Sequence, residues 1–329
     1  MAALKAHHTE ENMDKKLLTI DVSHGTTHDG PGMRTTVFVK GCPLHCRWCQ
    51  NPESIHVRNE VWWDASSCIG CLSCAAACTN DAIRPLPGRI HIEREKCRSC
   101  GACGEACPAA AMLWEGQEYD LESLLREVLR DRTFYDQFGG GVTCSGGEPL
   151  LHTEFVEAFF SRLQEEKIST ALDTCGCVPW ENLECVLPYT NYLLYDMKIF
   201  DSALHRKFTG QPNEKILNNL ICAASYMRSA DHPIKLWIRT PLIYGATATV
   251  DNIRRIGSFL RENAKDVLER WEMPAFNGVC VSKYEKLEQK WDYDGMGAMT
   301  RQQIVPLREA AEEFISKDKV LVSGMIREE

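Results

Sequence analysis

Eleven of the seventeen cysteines sit in three tight groups, and what those groups hold decides what the rest of the 329 residues can fold around. The first is Cys42-x3-Cys46-x2-Cys49. The second is Cys68, Cys71, Cys74 and Cys78, and the third is Cys97, Cys100, Cys103 and Cys107, followed by Pro108. Four-cysteine runs at this spacing saturate iron–sulfur clusters, whereas a group of three leaves one iron of a cubane without a protein ligand, open to something that reacts. A disulfide framework belongs to short secreted chains. Here the cysteine count is odd, and the start, MAALKAHHTEENMDKK, is polar and lacks the apolar stretch of a signal peptide, so reduced thiols in a cytoplasm are expected. Zinc is the stronger rival because C-x2-C pairs are its usual ligands, but a third and fourth cysteine at the same short spacing exceed what one tetrahedral ion uses.

The remaining composition, 44% hydrophobic and 25% charged, is that of an ordinary globular protein. No stretch nears the roughly 18 consecutive apolar residues of a membrane span. A formal charge of −9 argues against nucleic acid as a partner, since phosphate binding draws on an excess of Lys and Arg. Residues 1–16 form a polar tail whose His7-His8 pair is expected to be solvated rather than metal-bound. Residues 17–62 open the main domain, and a β-rich run, Thr35 to Lys40, leads into the first cysteine group, placing it at the carboxyl end of a strand, where α/β folds keep their chemistry.

Residues 63–113 change character. They carry eight cysteines, many alanines and glycines, and an internal repeat in which Ser67-Cys-Ile-Gly-Cys-Leu-Ser-Cys aligns with Lys96-Cys-Arg-Ser-Cys-Gly-Ala-Cys. Such a segment has too few large apolar residues to fold without its clusters. In paired runs of this kind the fourth cysteine of each ligates the other cluster. One expected ligand set is therefore Cys68, Cys71, Cys74 and Cys107, and the other is Cys97, Cys100, Cys103 and Cys78.

Residues 114–329 alternate helix and strand. Asp120 can cap a helix in which Leu121, Leu124, Leu125, Val128 and Leu129 share a face, and Thr153 can open one carrying Val156, Phe159, Phe160 and Leu163. Strands are expected over 141–145, 169–174, 192–197, 235–243, 271–276 and 320–322, with helices over 181–187, 214–229, 250–264 and 301–316. Repeated βα units imply a parallel sheet flanked by helices, either open or closed into a barrel.

The first cysteine group, ending in Cys46-Arg-Trp48-Cys49-Gln50-Asn51, resembles the fingerprint of the radical S-adenosylmethionine (SAM) enzymes. His28-Asp29-Gly30-Pro31-Gly32-Met33-Arg34 followed by Gly41-Cys42-Pro43 resembles the signature of the glycyl-radical-enzyme activating enzymes. Ser145-Gly146-Gly147-Glu148-Pro149, Asp173-Thr174-Cys175-Gly176 and Asp196-Met197-Lys198 fall in that family's order, and an insert directly after the first group is similar to its longer branch. The likeness runs from about residue 18 onward.

The resemblance implies a partial (β/α)6 parallel barrel of radical SAM type with an inserted ferredoxin-like α+β domain, three [4Fe-4S] clusters, and S-adenosyl-L-methionine chelated to the open iron of Cys42, Cys46 and Cys49. Reductive cleavage would give methionine and a 5'-deoxyadenosyl radical that takes a Cα hydrogen from a glycine of a partner glycyl radical enzyme. Gly146, Gly147 and Glu148 would hold the methionine moiety; their bland alternative is a strand-to-helix turn. Trp48 and Gln50 would lie near the cofactor, although a tryptophan in isolation is more often a packed side chain. Asp196, Met197, Lys198 and Arg239 would line the cofactor site, against the ordinary readings of a solvated lysine and a salt-bridged arginine.

Asp173, Thr174, Leu194 and Asp196 would form a monovalent-cation site, and Asp29 would face the partner's glycine loop, although Asp-Gly-Pro-Gly is also a turn sequence. Where many family members carry a histidine before a Lys-Tyr pair, this chain has Met273-Pro274-Ala275-Phe276-Asn277 ahead of Lys283-Tyr284, so Phe276 or Asn277 is expected in that space. Cys144, Cys175, Cys177, Cys185, Cys222 and Cys280 are assigned no ligand role.

A flavodoxin or ferredoxin would donate electrons to a monomeric, cytoplasmic protein of an anaerobic organism. The competing readings are a radical SAM maturase of another peptide or protein, a ferredoxin-type electron carrier, and a zinc-binding protein. Maturases usually carry extra cysteines near the C-terminus, whereas none follows Cys280 here.

Overall fold

A computed structural model describes residues 16–328, so the His7-His8 pair and nearly all of the tail lie outside the described residues. In chain order the strands are β1 (Leu17–Thr26), β2 (Arg34–Val39), β3 (Glu60–Trp63), β4 (Ile83–Leu86), β5 (Arg89–Ile92), β6 (Met112–Glu115), β7 (Gln117–Tyr119), β8 (Gly141–Gly146), β9 (Ser169–Thr174), β10 (Tyr192–Asp196), β11 (Lys235–Arg239), β12 (Leu268–Pro274) and β13 (Val320–Ser323). Nine of them form one sheet in the order β13-β12-β11-β10-β9-β8-β2-β1-β7. From β2 to β13 every neighbour is parallel, while β1 pairs antiparallel with both β2 and β7. Each parallel crossover carries helix on the way back, as a parallel strand pair requires.

Helices form where an apolar stripe meets a cap. The Asp120 side chain accepts from Ser123 N at 2.8 Å, and Leu121, Leu124, Leu125 and Val128 of the helix Leu121–Leu129 are buried. The second helix, Thr153–Glu165, opens at Thr153 as expected; a 3-10 turn over Pro149–His152 runs straight into it, and the Thr153 hydroxyl donates back to Leu150 O. The strand expected over 235–243 stops at Arg239, because Pro241 has no N–H for the ladder. The last long helix ends at Glu312 rather than 316.

Residues 60–115 leave the sheet between β2 and β8. Their base is closed by β3 pairing antiparallel with β6, and β4 and β5 form a hairpin. The apolar interior of this lobe is small, with Val61, Ile83, Ile90, Ile92 and Met112 around Cys74 and Cys103. Its two halves repeat in backbone as well as in sequence. Gly70 and Ser99 (φ 71° and 51°), Leu72 and Gly101 (60° and 84°), and Asp81 and Ala110 (49° and 50°) occupy matching left-handed positions. Among the described residues no helix is long and apolar enough to cross a membrane.

The registers set the site. Val39 faces Gly146, Thr174 faces Tyr195, and Asp196 faces Arg239, which in turn faces Glu272, so the carboxyl ends of β2 and β8 to β12 meet along one rim of the sheet.

Candidate active site

The first cysteine group is pinned from three sides. Gly41 N and Cys42 N donate to Ser54 O and Ile55 O at 2.6 and 3.0 Å, and His45 N and Arg47 N donate to Thr209 O and Phe208 O at 2.7 and 3.0 Å. Trp48 is buried against Phe208, with ring centroids 6.3 Å apart. From the far end of the chain, Tyr284 OH donates to Cys49 O at 3.0 Å, Lys283 Nζ reaches Asn51 Oδ1 and Glu53 Oε1 at 2.7 and 2.6 Å, and Arg47 pairs with Asp292 at 2.6 Å. The Lys-Tyr pair was noticed in the sequence, but its grip on the cysteine loop was not legible there, because the partners lie 230 to 235 residues apart.

Gly146 and Gly147 face backbone first. A Cβ on Gly146, which sits at φ 106°, would lie 2.4 Å from Val39 N, and one on Gly147 would lie 2.1 Å from Gly41 O. Hydrogen bonds from Gly147 N to Val39 O (2.8 Å) and from Glu148 N to Gly41 O (2.6 Å) tie this turn to the start of the cysteine loop. The Glu148 carboxylate is fully buried and engaged within the protein, accepting from Leu150 N, the Thr174 hydroxyl and Cys175 N at 3.1, 2.7 and 2.8 Å. Burial raises its pKa. It braces the turn against the end of β9, and the Thr174 side chain is used in the same brace.

Along the rim, Arg239 Nη1 donates to Asp173 Oδ2 at 3.0 Å and lies 3.9 Å from Asp29 Oδ1, while Asp173 Oδ2 also accepts from Ser145 Oγ at 2.7 Å. Lys198 pairs with Asp196. Burial opposes both cations, yet the neighbouring carboxylates of Asp173 and Asp196 hold Arg239 charged and that of Asp196 holds Lys198 charged, each above its ordinary pKa. Asp173 moves the other way: burial pushes it up to about 6, with Arg239 opposing. Met197 is buried and bound through its backbone, N to Arg239 O at 2.9 Å and O to Thr240 Oγ1 at 2.8 Å. Leu194 lies inside the ladder between β9 and β11, opposite Asp173 and Trp237 and below the rim.

At the β12 end, Phe276 is buried and stacks on Trp291 (5.7 Å, 17°) beside Tyr244 and Tyr293. Asn277 O accepts from Gln50 Nε2 at 3.3 Å. Gln50 Oε1 and Trp291 Nε1 are buried here with no hydrogen-bond partner among the described residues. Orphaned polar atoms beside a loop of three cysteines suit a polar ligand. The donor set fits a cluster: the buried Cys46 thiol is pushed up to about 12 and Cys49 is raised as well, so these sulfurs become thiolates when a cation compensates them. Cys42 differs, lowered by a hydrogen bond from Cys175, whose backbone Glu148 also holds. The sequence had given Cys175 no role.

In the 60–115 lobe, Cys74 lies within electrostatic reach of Cys68 and Cys107, and Cys103 within reach of Cys97 and Cys78; burial raises the pKa of both. Cys78 and Cys107 accept matching hydrogen bonds from Ala82 N and Ala111 N at 3.3 and 3.2 Å. Cys78, Cys97, Cys100 and Cys103 line one small hollow.

Rim, cysteine loop and glycine turn together define a radical SAM protein, and the comparison with known families agrees: residues 36–249 match the Radical SAM superfamily, to which the chain belongs. It is 39% identical over 284 residues to the isethionate sulfite-lyase activating enzyme of Oleidesulfovibrio alaskensis, covering 84% of this chain and 89% of that one. It is 38% identical to the indoleacetate decarboxylase activating enzyme of Tractidigestivibacter scatoligenes (84% and 89% covered), and 31% identical to the choline trimethylamine-lyase activating enzyme of O. alaskensis (88% and 92%). Within the superfamily it is one of the activating enzymes of glycyl radical enzymes.

Proposed function

We propose that this chain installs the radical on a partner glycyl radical enzyme by way of one SAM-binding cluster and two further clusters in the 60–115 lobe. The activating role follows from the family, and a [4Fe-4S] cluster and SAM come with it. Bound at Cys42, Cys46 and Cys49, they supply reductive cleavage of SAM and so the means to take a hydrogen from glycine. The protein's own part is positional. The Gly146-Gly147 turn sets the floor beside the cysteine loop, Lys198 and Arg239 supply fixed positive charge along the rim, and the aromatic group around Phe276 closes the β12 end in place of the family histidine. Asp29, tied to Thr36 and close to Arg239, is assigned to the face that receives the partner's glycine loop.

The observation that best supports the three-cluster reading is that Cys78 of the first half lines one hollow with Cys97, Cys100 and Cys103 of the second, while Cys107 of the second half lies within electrostatic reach of Cys74 in the first. The same reading takes the sheet, seven parallel strands with both outer strands unpaired across it, as a partial barrel and the lobe as ferredoxin-like. It places Asp173 and Asp196 at a monovalent-cation site through their carboxylates; Leu194 is the weakest member of that set, since its backbone stands in the ladder. It also takes a low-potential flavodoxin or ferredoxin as the donor and a monomer in an oxygen-free cytoplasm as the working form.

The test is anaerobic reconstitution with iron and sulfide, reduction, and addition of SAM with candidate partners. The expected result is close to twelve irons per chain, from three four-iron clusters, and a partner-dependent glycyl radical signal by electron paramagnetic resonance. Deoxyadenosine release without that signal from any partner would refute activation, and iron for a single cluster would refute the role given to the lobe.

A further inference from the structure

Which of the two lobe clusters hands the electron on is written in how the lobe is tied down. We infer that the set Cys78, Cys97, Cys100 and Cys103 is the one that delivers electrons to the first cysteine group, and that the set Cys68, Cys71, Cys74 and Cys107 stands outside it. The inference rests on the three-cluster reading and adds an order to it.

The two halves of the lobe are near copies, but only the second is fastened to the main domain around its cysteines. Arg58 Nη1 donates to Cys97 O at 3.1 Å, and Ser99 Oγ donates to Asn59 O at 2.5 Å. Just before Cys97, Arg94 donates to Lys286 O at 3.2 Å, Ile92 N donates to Glu288 Oε1 at 3.3 Å, and His91 pairs with Glu288.

The segment gripped in this way is the end of the helix Val281–Lys286, whose Lys283 and Tyr284 hold Asn51, Glu53 and Cys49 O on its other side. This short helix and Glu288, two residues beyond its end, therefore touch both the loop of the first group and the segment leading to Cys97. By contrast, the hydrogen bonds of residues 66–78 stay within the lobe. Electron tunnelling decays steeply with distance, so the cluster fastened against the bridging helix is the natural last step. A single electron moves from a one-electron reductant to the lobe and on to the first group; no proton or bond change is needed before SAM is cleaved.

The experiment uses the full chain, anaerobically reconstituted, with photoexcited deazaflavin as a one-electron reductant. Samples frozen at intervals are read by electron paramagnetic resonance for the reduced first-group cluster, whose signal shifts when SAM is present. Iron and sulfide analysis comes first: fewer than three clusters in the unaltered chain overturns the underlying reading, not the order. With three present, C97A/C100A is expected to retain a reduced signal in the lobe and lose the transfer to the first group, while C68A/C71A passes its electron on as the unaltered chain does. The reverse pattern, or transfer surviving in C97A/C100A, overturns the proposed order. Arg94→Met leaves every cysteine in place and covers the case of a misfolded double variant. Unchanged iron with slower arrival at the first group supports the order, and unchanged arrival counts against it.

Discussion

Gly147 carries a constraint that its motif only half explains. Sequence reasoning assigned the glycine pair to close approach by a ligand, and the structure adds a nearer reason, the carbonyl of Gly41 2.1 Å from where a Cβ would stand. Gly147→Ala is therefore expected to cost on the order of 1–3 kcal/mol through overpacking and to lower iron retention at the first group, because the displaced atom belongs to the residue before Cys42. Denaturant midpoints and iron analysis check both. At this scale the sequence singled out the cysteines, Asp173, Lys198 and Arg239, and the structure sets Arg239 against Asp173 and Lys198 against Asp196 along the rim. It was opaque where the job depends on a distant neighbour. Glu148 is spent on bracing β9, Cys175 on Cys42, and Trp291 on Phe276, and nothing local to those residues announces it.

The short helix Val281–Lys286 is the element whose importance most exceeds its size. Its Lys283 pairs with Glu53, a carboxylate whose side chain is only 2% exposed, while the lysine itself is 33% exposed. Lys283→Met leaves a buried charge uncompensated and is expected to cost about 2–3 kcal/mol, toward the low end for broken buried pairs because water reaches the lysine. Urea denaturation of the wild type and variant, both in the apo form, measures it. Elements with a strong period were readable in advance: β9 and the helix Glu214–Ser229 fall at the expected residues. This helix has six residues and no such period. The strands β1, β3 and β6 were equally hidden, since their pairing is set by partners outside the local window.

On the scale of the whole molecule, two bodies of unequal self-sufficiency share one chain. The main sheet packs a large continuous core, whereas the lobe has five non-cysteine apolar residues fully buried in its own cluster. Removing iron with a chelator under anaerobic conditions is accordingly expected to open residues 64–111 to protease while β8 to β13 stay protected. Mass spectrometry of the fragments reads the outcome, and cleavage spread evenly over both parts would count against it. The repeat set residues 63–113 apart in the sequence, and the pairing of β3 with β6 closes the lobe's base over 60–115; the bridge between the parts had no sequence signature.

That bridge also has a consequence in time. Tyr284, Lys283 and Asp292, which fasten the cysteine loop, are synthesised more than two hundred residues after it. For most of translation Cys42, Cys46 and Cys49 are thus out of the ribosome without the C-terminal half of their clasp, an open hand that the chain closes into a fist only near its end.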